Sequence, residues 1–324
     1  MLLLCAALLS VCIVLSQQMS FFKKLASIFS QNQRGGGLSQ RTIDNYRASL
    51  LLSSFAASRE SGHREQPTQD QVNAIFKLVQ SWSFEELSTF SQDEINKQVI
   101  DLLVTIDKYT TSGSKESSIA HHLGFELERR ESSIPAAGQG VFLSIPPSAP
   151  ARSLPAGSVI ALFPGQVHLA EFTQQKDHIK NHLLPDPDMH CLVRVDEPII
   201  IDGRTAHLCP PNPLALAHLV NHCGKTKPNV LQHPYNFPVD PLELDERQSF
   251  PKALRKYIPN AYFRKPTMLG TPDRSALMHG AVLLAARPID DGEELLMDYR
   301  LSPQNTLPQW YQHHDEGQAE QRWK

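Results

Sequence analysis

The segment that most constrains this chain is residues 292–299, which read GEELLMDY. Taken alone, a Gly-Glu-Glu turn before a short apolar run usually just leads into a β-strand. The segment gains meaning from an earlier one, residues 221–223, which read NHC and run on to Pro228 and Asn229. A third, weaker pattern lies upstream at residues 138–142, which read GQGVF. The three patterns lie close enough in the chain for one domain to hold them all.

This ordered set resembles the signature motifs of the SET domain, the fold of a family of lysine methyltransferases. In that family, two motifs are threaded through each other as a pseudoknot, and residues 221–229 and 292–299 resemble these two motifs. A Gly-x-Gly-Val-Phe strand opens the family's domain. The resemblance spans residues 122–302. It implies an α+β protein with a mainly β SET-domain fold and a C-terminal pseudoknot, preceded by a small helical region.

The resemblance also implies a function, an S-adenosylmethionine-dependent methyltransferase whose partner is a lysine of a protein or peptide. The alternative is a SET-fold module that binds the cofactor or a protein but is catalytically weak or inactive. Tyr299 together with Asn221 and His222 favours the enzyme, since a pure scaffold needs none of them. A third interpretation, a secreted protein that reuses the scaffold, rests only on the N-terminal segment.

The chemistry of methyl transfer explains why such residue types are needed. A methyl group on a sulfonium passes directly to an amine, with no metal and no covalent intermediate. The amine must be neutral, whereas lysine has a reference pKa of about 10.4. A narrow, dry, aromatic-walled channel destabilises the ammonium form and lowers that pKa. Alignment of donor and acceptor then supplies much of the remaining rate.

The candidate site residues are carried over from the family's motifs. Gly138 and Gly140 would let the backbone approach the cofactor closely. Asn221 and His222 would hydrogen-bond the cofactor through a side-chain amide and backbone groups. Tyr299 would contact the cofactor and act as the catalytic residue, with its hydroxyl near the transferred methyl group.

Each of these residues has a simpler interpretation when it is taken alone. A Gly-x-Gly is usually a plain turn, an Asn-His pair a strand-end cap, and a tyrosine an ordinary core residue. The ordered set favours the functional interpretation over these. Asp298 and Glu294 are expected to be structural and to secure the turn of the pseudoknot.

Several departures from the family's pattern concern the substrate channel. The first motif is longer than usual because residues 224–227 precede Pro228, and Cys223 stands where serine is common. Residues 163–165, which read FPG, replace a common Tyr-x-Gly, and Met297 replaces an aromatic residue. None of these changes removes a proposed cofactor contact. They leave open the shape of the channel and the number of methyl groups transferred.

Charge and cysteine content argue against other classes of protein. The chain has 31 basic and 34 acidic residues and a net charge of −3. Because a direct nucleic-acid binder normally shows a basic excess, no nucleic-acid partner is predicted. The five cysteines include no Cys-x-x-Cys spacing, so neither a disulfide scaffold nor a closed zinc site is expected. The predicted site holds no metal.

The N-terminus begins with an apolar run at residues 2–15. Its length fits the apolar part of a signal peptide and is short for a membrane span. A buried helix, a short membrane anchor and a misassigned start codon are the alternatives. A SET enzyme needs cofactor from the cytosol or nucleus, so we expect an intracellular protein. The alternative is that residues 1–22 direct the protein to the secretory pathway or anchor it in a membrane. Membrane contact is expected only if this segment is an anchor.

The chain is predicted to divide into four parts. These are an apolar segment and linker (1–38), a helical region and linker (39–118), the SET domain (119–302) and a polar tail (303–324). Residues 39–57 and 72–79 show apolar residues at helical spacing. Ser83 and Ser91 each begin a capping-box pattern, which predicts two further helices.

From Leu123 onward, the apolar period changes from helical to alternating. Many short strands without βαβ alternation predict a compact β core with helical insertions. The tail is expected to be a weakly ordered terminus, with packing of Trp310 or Tyr311 over the channel as the alternative. Turns are predicted at residues 138–140, 164–165 and 202–203, and strands at residues 125–130, 141–145, 159–163, 192–195, 199–201, 281–286 and 294–299.

Overall fold

The structure is a computed structural model that describes residues 40–60, 69–112, 119–174, 176, 179–183, 192–196, 199–239, 250–263, 276–304 and 307–322. The predicted targeting segment within residues 1–22 lies outside these. The chain divides into two compact units, Met1–Phe90 and Ser91–Lys324. The finer division into four parts stays a prediction. No helix among the described residues is long and apolar enough to cross a membrane.

The described part of the first unit is helical. It contains α1 (Gln40–Glu60), α2 (Gln69–Ser81) and the first residues of α3 (Phe84–Ser112). The apolar stripe predicted at residues 72–79 is a packing face. Its buried core and the partly buried side chains around it are Leu50, Val79, Leu87, Tyr46, Ile75, Phe76 and Trp82.

The capping box at the start of α3 is confirmed. The Ser83 hydroxyl accepts from the Glu86 N–H (3.2 Å), and the Ser83 N–H donates to the Glu86 carboxylate (2.6 Å). The second pattern, at Ser91, starts no new helix, because α3 runs through it without a break. That prediction was wrong because the preceding helical turn already supplies carbonyl groups that accept from these backbone N–H groups. A capping box is needed only where such carbonyls are missing.

The second unit is built around a three-stranded antiparallel sheet. Its strands lie in the order β4 (Val159–Leu162), β11 (Ala276–Ala285) and β9 (Val230–Pro238). All of β4 and residues 279–285 of β11 are buried. The central strand is therefore covered on both faces, as the uninterrupted apolar sequence of residues 281–285 predicts.

Strand β9 was not predicted from the sequence because Pro234 and Pro238 interrupt it. It lies at the edge of its sheet, where a proline removes no ladder hydrogen bond. The Gln92 side chain of α3 lies along this edge, donating to the Pro234 carbonyl (2.8 Å) and accepting from the Asn236 N–H (2.8 Å). Both edges of the sheet receive such a side chain, since Gln98 bonds the backbone beside β4 in the same way.

A four-stranded sheet lies in the order β10 (Asn260–Tyr262), β5 (Gly165–His168), β7 (Ile199–Asp202) and β6 (Leu192–Asp196). Two predicted turns are corrected here. Gly165 begins β5, where a Cβ atom would lie 2.1 Å from the Asp202 carbonyl oxygen. Asp202 caps a 3₁₀ helix (Gly203–Leu208) by accepting from the Arg204 N–H (3.0 Å), so no hairpin turn forms there.

Three short strand pairs complete the second unit. The hairpin β1 (Glu126–Glu131) and β2 (Gln139–Ser144) is antiparallel, as is the pair of β3 (Ser153–Leu154) with β12 (Ile289–Asp290). The pair of β8 (Asn221–His222) with β13 (Leu296–Met297) is parallel. The strand predicted at residues 294–299 is thus reduced to Leu296–Met297. The helical pieces are α4 (Ile119–Leu123), α5 (Ala170–Thr173), a π-helix (Ile179–Leu183), 3₁₀ helices at Ala217–Leu219 and Lys252–Tyr257, and α6 (Glu316–Arg322).

Candidate active site

The parallel pair β8–β13 brings the two main motifs together. Asn221 lies opposite Leu296, and His222 lies opposite Met297. The pairing continues one residue further, where the Cys223 N–H donates to the Met297 carbonyl (2.9 Å). Two parallel strands need a crossover connection between them, and here the intervening chain supplies β9 and β11. The threading of a pseudoknot stays a prediction.

Asn229, at the end of the first motif, fastens the second. Its side-chain nitrogen donates to the Glu294 carbonyl (2.7 Å) and to the Glu293 carboxylate (3.1 Å). Its side-chain oxygen accepts from the Leu296 N–H (2.7 Å). Asn229 is only 1% exposed. Sequence analysis did not single out this residue, although the Pro-Asn that ends the motif was the available signal.

The buried carboxylate of Glu294 joins all three motifs. It accepts from the Ser132 hydroxyl (2.7 Å), the Ser133 N–H (2.7 Å), the Ser133 hydroxyl and the Asn221 side chain (3.2 Å). Burial by itself would raise the pKa of Glu294, but the bonds from Ser133, Ser132 and Asn221 hold that pKa below its usual value. The carboxylate is therefore ionised at neutral pH and carries the structural role expected of it.

The two predicted glycines occupy different surroundings. A Cβ atom on Gly140 would lie 2.2 Å from the Glu294 carboxylate and 3.3 Å from the Asn221 amide nitrogen. Gly140 is therefore required by the close approach of Glu294. Gly138 has a φ of +72°, which favours glycine, and among the described residues no atom beyond its chain neighbours lies within 4 Å of its Cβ position. The Asn221 amide also donates to the Gln139 carbonyl (3.0 Å), so all three motifs meet there.

Tyr299 is held at both ends by residues that flank Asn221. Its hydroxyl donates to the Val220 carbonyl (3.0 Å). Its backbone N–H donates to Nδ1 of His222 (3.2 Å), and the two rings lie 5.3 Å apart. The structure therefore brings together the predicted residues Asn221, His222 and Tyr299.

The C-terminal tail packs on this group. The Tyr311 ring stacks on His222, with 4.3 Å between centroids and 16° between planes. Tyr311 is buried, and its hydroxyl oxygen accepts from the Leu301 N–H (3.1 Å). Trp310 meets the Tyr299 ring edge to face at 6.1 Å. For residues 307–322, the expectation of a weakly ordered terminus was wrong, because burial of aromatic area outweighs the polar composition.

Comparison with known proteins gives the fold a name. No family profile matches the chain. The chain is similar to SET domain-containing protein 9 of Homo sapiens, with 23% identity over 233 residues that cover 63% of this chain and 68% of that protein. The same protein of Pongo abelii is also 23% identical, over 63% of this chain and 74% of its own length. The fold is that of a SET domain.

Solved structures similar to part of the chain were also found. One is KRYPTONITE in complex with mCHG DNA and SAH, with a TM-score of 0.30, 17% identity, and coverage of 56% of this chain and 25% of that one. Another is ctPRC2 in an autoinhibited conformation bound to S-adenosylmethionine, with a TM-score of 0.32, 14% identity, and coverage of 62% and 18%. The chain spans a quarter or less of the length of either structure.

Two further titratable groups are Cys223, within the first motif, and His218, which precedes it. Burial raises the pKa of the Cys223 thiol to about 12, and the Asp298 carboxylate adds to this shift. The thiol is therefore protonated at neutral pH and a poor nucleophile. Burial lowers the pKa of His218 to about 4, and the positive charge of Arg129 adds to that shift. Among the described residues, no group of three or more His, Cys, Asp or Glu side chains is arranged to hold a metal ion.

Acidification from pH 6.5 to pH 4 is expected to destabilise the SET domain through His218. Its pKa falls from 6.5 to about 4 on folding, so the unfolded chain takes up the proton first. The stability that the neutral ring contributes is present above pH 6.5 and is lost as the pH falls toward 4. Urea midpoints at pH 7, 5.5 and 4 should fall less for His218→Gln than for the parent. The exposed-site variant His207→Gln should follow the parent, and an equal fall in all three proteins would refute the role of His218.

Proposed function

We propose that the SET domain is an S-adenosylmethionine-dependent methyltransferase that modifies a lysine side chain of a protein or peptide. The observation that carries the proposal is the fixed hydroxyl of Tyr299. It is oriented by the Val220 carbonyl (3.0 Å) beside the paired motifs β8 and β13. The proposal places the protein inside the cell, where the cofactor is available.

The oxygen atoms of this site suit a positively charged centre. Because the Tyr299 hydroxyl donates its proton to Val220, its oxygen can act only as an acceptor toward a polarised methyl group or an amine N–H. The Val220 carbonyl adds a second electron-rich oxygen. The aromatic rings of Tyr299 and Trp310 also favour a cation on their faces. The chemistry of these groups therefore fits a sulfonium cofactor and a lysine amine.

Several residues of the motifs would hold the cofactor, which supplies a methyl group on a sulfonium sulfur. Gly140 belongs to β2, the strand that would lie against it, and Gly138 directly precedes that strand. The space beside Gly138 supports this. Asn221 and His222 would contribute backbone groups of β8, since the Asn221 side-chain amide already bonds Gln139 and Glu294. Tyr299 would contact both the cofactor and the substrate.

The chain's own contribution to transfer is orientation. Tyr299 would accept a hydrogen bond from the substrate amine and hold the nitrogen lone pair in line for attack. Its hydroxyl cannot turn away without losing its bond to Val220. A group preorganised in this way loses no reorganisation energy at the moment of reaction.

A second candidate function has specific support, that of a binding module without efficient catalysis. Gly140 and the Asn221 side chain are both accounted for by their contacts with Glu294. A fold that needs these residues for its own packing would keep them after losing activity. We favour the methyltransferase over the binding module because the contacts of Glu294 do not explain why the Tyr299 hydroxyl is oriented by Val220.

Cofactor binding is the first test. A ligand that binds only the folded protein, at 100 times its dissociation constant, should add about 2.7 kcal/mol to the free energy of unfolding. Differential scanning calorimetry should therefore show a shift of the unfolding temperature with S-adenosylmethionine. Asn221→Ala removes the bonds that hold β8 to Gln139 and Glu294, so it should displace the backbone groups of β8 and weaken binding. Asn212→Ala, which loses bonds to Tyr257 and Leu214, should not. No shift at millimolar cofactor would exclude a cofactor site.

Transfer is tested separately, with isotope-labelled cofactor and an array of lysine peptides. Label on a lysine peptide that is absent from the matching arginine peptide would support the proposed reaction. Binding of cofactor without label on any peptide or protein would favour the binding module.

A further inference from the structure

The imidazole ring of His222 lies between two backbone groups from different parts of the chain. Nδ1 is 3.2 Å from the backbone nitrogen of Tyr299, and Nε2 is 2.7 Å from the carbonyl oxygen of Gln312. The residue is only 6% exposed. Both ring nitrogens are thus committed within the protein, and neither is available to a cofactor.

The two partners determine the protonation of the ring. A backbone N–H only donates, so Nδ1 must accept from Tyr299. A carbonyl only accepts, so Nε2 must carry the proton that is donated to Gln312. The contacts require a neutral imidazole with its hydrogen on Nε2. A ring with hydrogen on Nδ1 would place two donors against each other.

The face of the ring provides a third contact. Tyr311 stacks on it at 4.3 Å, and the Tyr311 hydroxyl oxygen accepts from the N–H of Leu301, two residues after Tyr299. The tail is therefore bonded to residues 299–301 directly, through Tyr311 and Leu301, and indirectly, through Gln312 and His222. His222 supplies the central link, since it contacts the Tyr299 backbone, the Gln312 carbonyl and the Tyr311 ring.

We infer that the His222 ring is a positioning residue, which sets the backbone of Tyr299 and fastens the C-terminal tail against it. This role goes beyond the backbone contact with the cofactor proposed for His222, and its effect on rate rests on the proposed methyltransferase activity. Val220 fixes the hydroxyl end of Tyr299, and His222 fixes its backbone end. Loss of the ring should misplace the hydroxyl without removing any group that would touch the cofactor.

Two substitutions separate the contacts of the ring. His222→Phe keeps an aromatic ring for stacking with Tyr311 but has neither a hydrogen-bond acceptor for Tyr299 nor a donor for Gln312. His222→Gln keeps one acceptor and one donor but has no aromatic ring. We expect His222→Phe to lower kcat by roughly 10- to 100-fold, the scale of a misplaced reacting group, while the dissociation constant of S-adenosylmethionine is unchanged. His222→Gln should recover part of the lost kcat.

Nuclear magnetic resonance provides a readout that needs no activity. The ¹⁵N shifts of His222 should be those of a neutral ring protonated on Nε2. In His222→Phe the Tyr299 amide should exchange with solvent faster than in the parent. The Cys223 amide, bonded to the Met297 carbonyl in the same strand pair (2.9 Å), should keep its protection and serves as the internal control.

The outcomes distinguish this inference from the proposed function. A ring protonated on Nδ1, or a Tyr299 amide that stays protected in His222→Phe, would overturn the inference whatever the activity. An equal loss of kcat and cofactor affinity would also overturn it. The protein could show the expected tautomer and the expected amide exchange but transfer no methyl group. That result would refute the proposed function and still support the link between His222 and the tail. If His222→Phe does not fold, the tautomer in the parent decides: protonation on Nε2 supports the inference and protonation on Nδ1 overturns it.

Discussion

Tyr299→Phe is expected to slow methyl transfer by roughly 100- to 1000-fold, the typical effect of removing one preorganised polar group. The ring keeps its edge-to-face contact with Trp310, and only the hydroxyl that bonds Val220 is lost. The free energy of unfolding should fall by only about 1 kcal/mol, the contribution of one hydrogen bond. Single-turnover transfer, cofactor affinity and urea denaturation of the same preparation measure the three quantities.

Tyr257→Phe is the matched control for this experiment. Its hydroxyl donates to the Asp107 carboxylate (3.0 Å), away from the motifs. It should lower stability by a similar amount and leave the rate of transfer unchanged. If Tyr299→Phe transfers methyl groups as fast as the parent, the catalytic assignment is wrong. A slow rate in both variants would show that transfer depends on stability alone.

Short-range signals predicted much of the helical part of the fold. The capping box at Ser83 is formed by neighbouring residues, and the pattern at residues 72–79 needs only one face of a helix to be covered. Ser91 has the same local pattern as Ser83 but lies inside α3. The two serines differ in whether a helical turn precedes them. A window of a few residues does not contain that information.

Long-range contacts explain what was missed among the strands. Pro234 is compatible with β9 only because the strand lies at an edge, and the edge is completed by Gln92 from α3. Gly165 begins a strand rather than a turn because the Asp202 carbonyl leaves no room for a side chain. Each of these positions depends on a partner distant in the sequence. Periodicity within one segment does not identify that partner.

In the candidate site, too, local sequence patterns identified some residues, and contacts between distant segments determined the rest. The motif resemblance led to Asn221, His222 and Tyr299, which lie together in the structure. It did not identify Asn229 as the residue that joins the two motifs. The polar composition of the tail favoured the wrong interpretation, a weakly ordered terminus, because nothing local to Tyr311 shows that its ring stacks on His222. Their roles in catalysis and cofactor binding stay predictions.

Asn229→Ala is expected to destabilise the SET domain by about 3 kcal/mol and to weaken cofactor binding. The substitution removes three side-chain hydrogen bonds, to Glu293, the Glu294 carbonyl and the Leu296 N–H. A net hydrogen bond contributes about 1 kcal/mol, and a buried group left without its partner costs more. Because Asn229 is only 1% exposed, water does not readily replace the hydrogen bonds of the lost side chain.

The effect on binding follows from where these three bonds end. They hold residues 293–296, and this segment carries the Glu294 carboxylate that bonds Asn221 (3.2 Å). Asn212→Ala is the control, because it removes two bonds, to the Tyr257 carbonyl and the Leu214 N–H, at a half-buried site away from the motifs. Urea denaturation and calorimetric titration with S-adenosylmethionine compare the two variants at a temperature where both are folded. We expect Asn229→Ala to lose more stability than Asn212→Ala and to be the only one of the two that loses affinity. Equal losses of stability, with affinity intact in both, would show that Asn229 supports the fold in general and does not position the site.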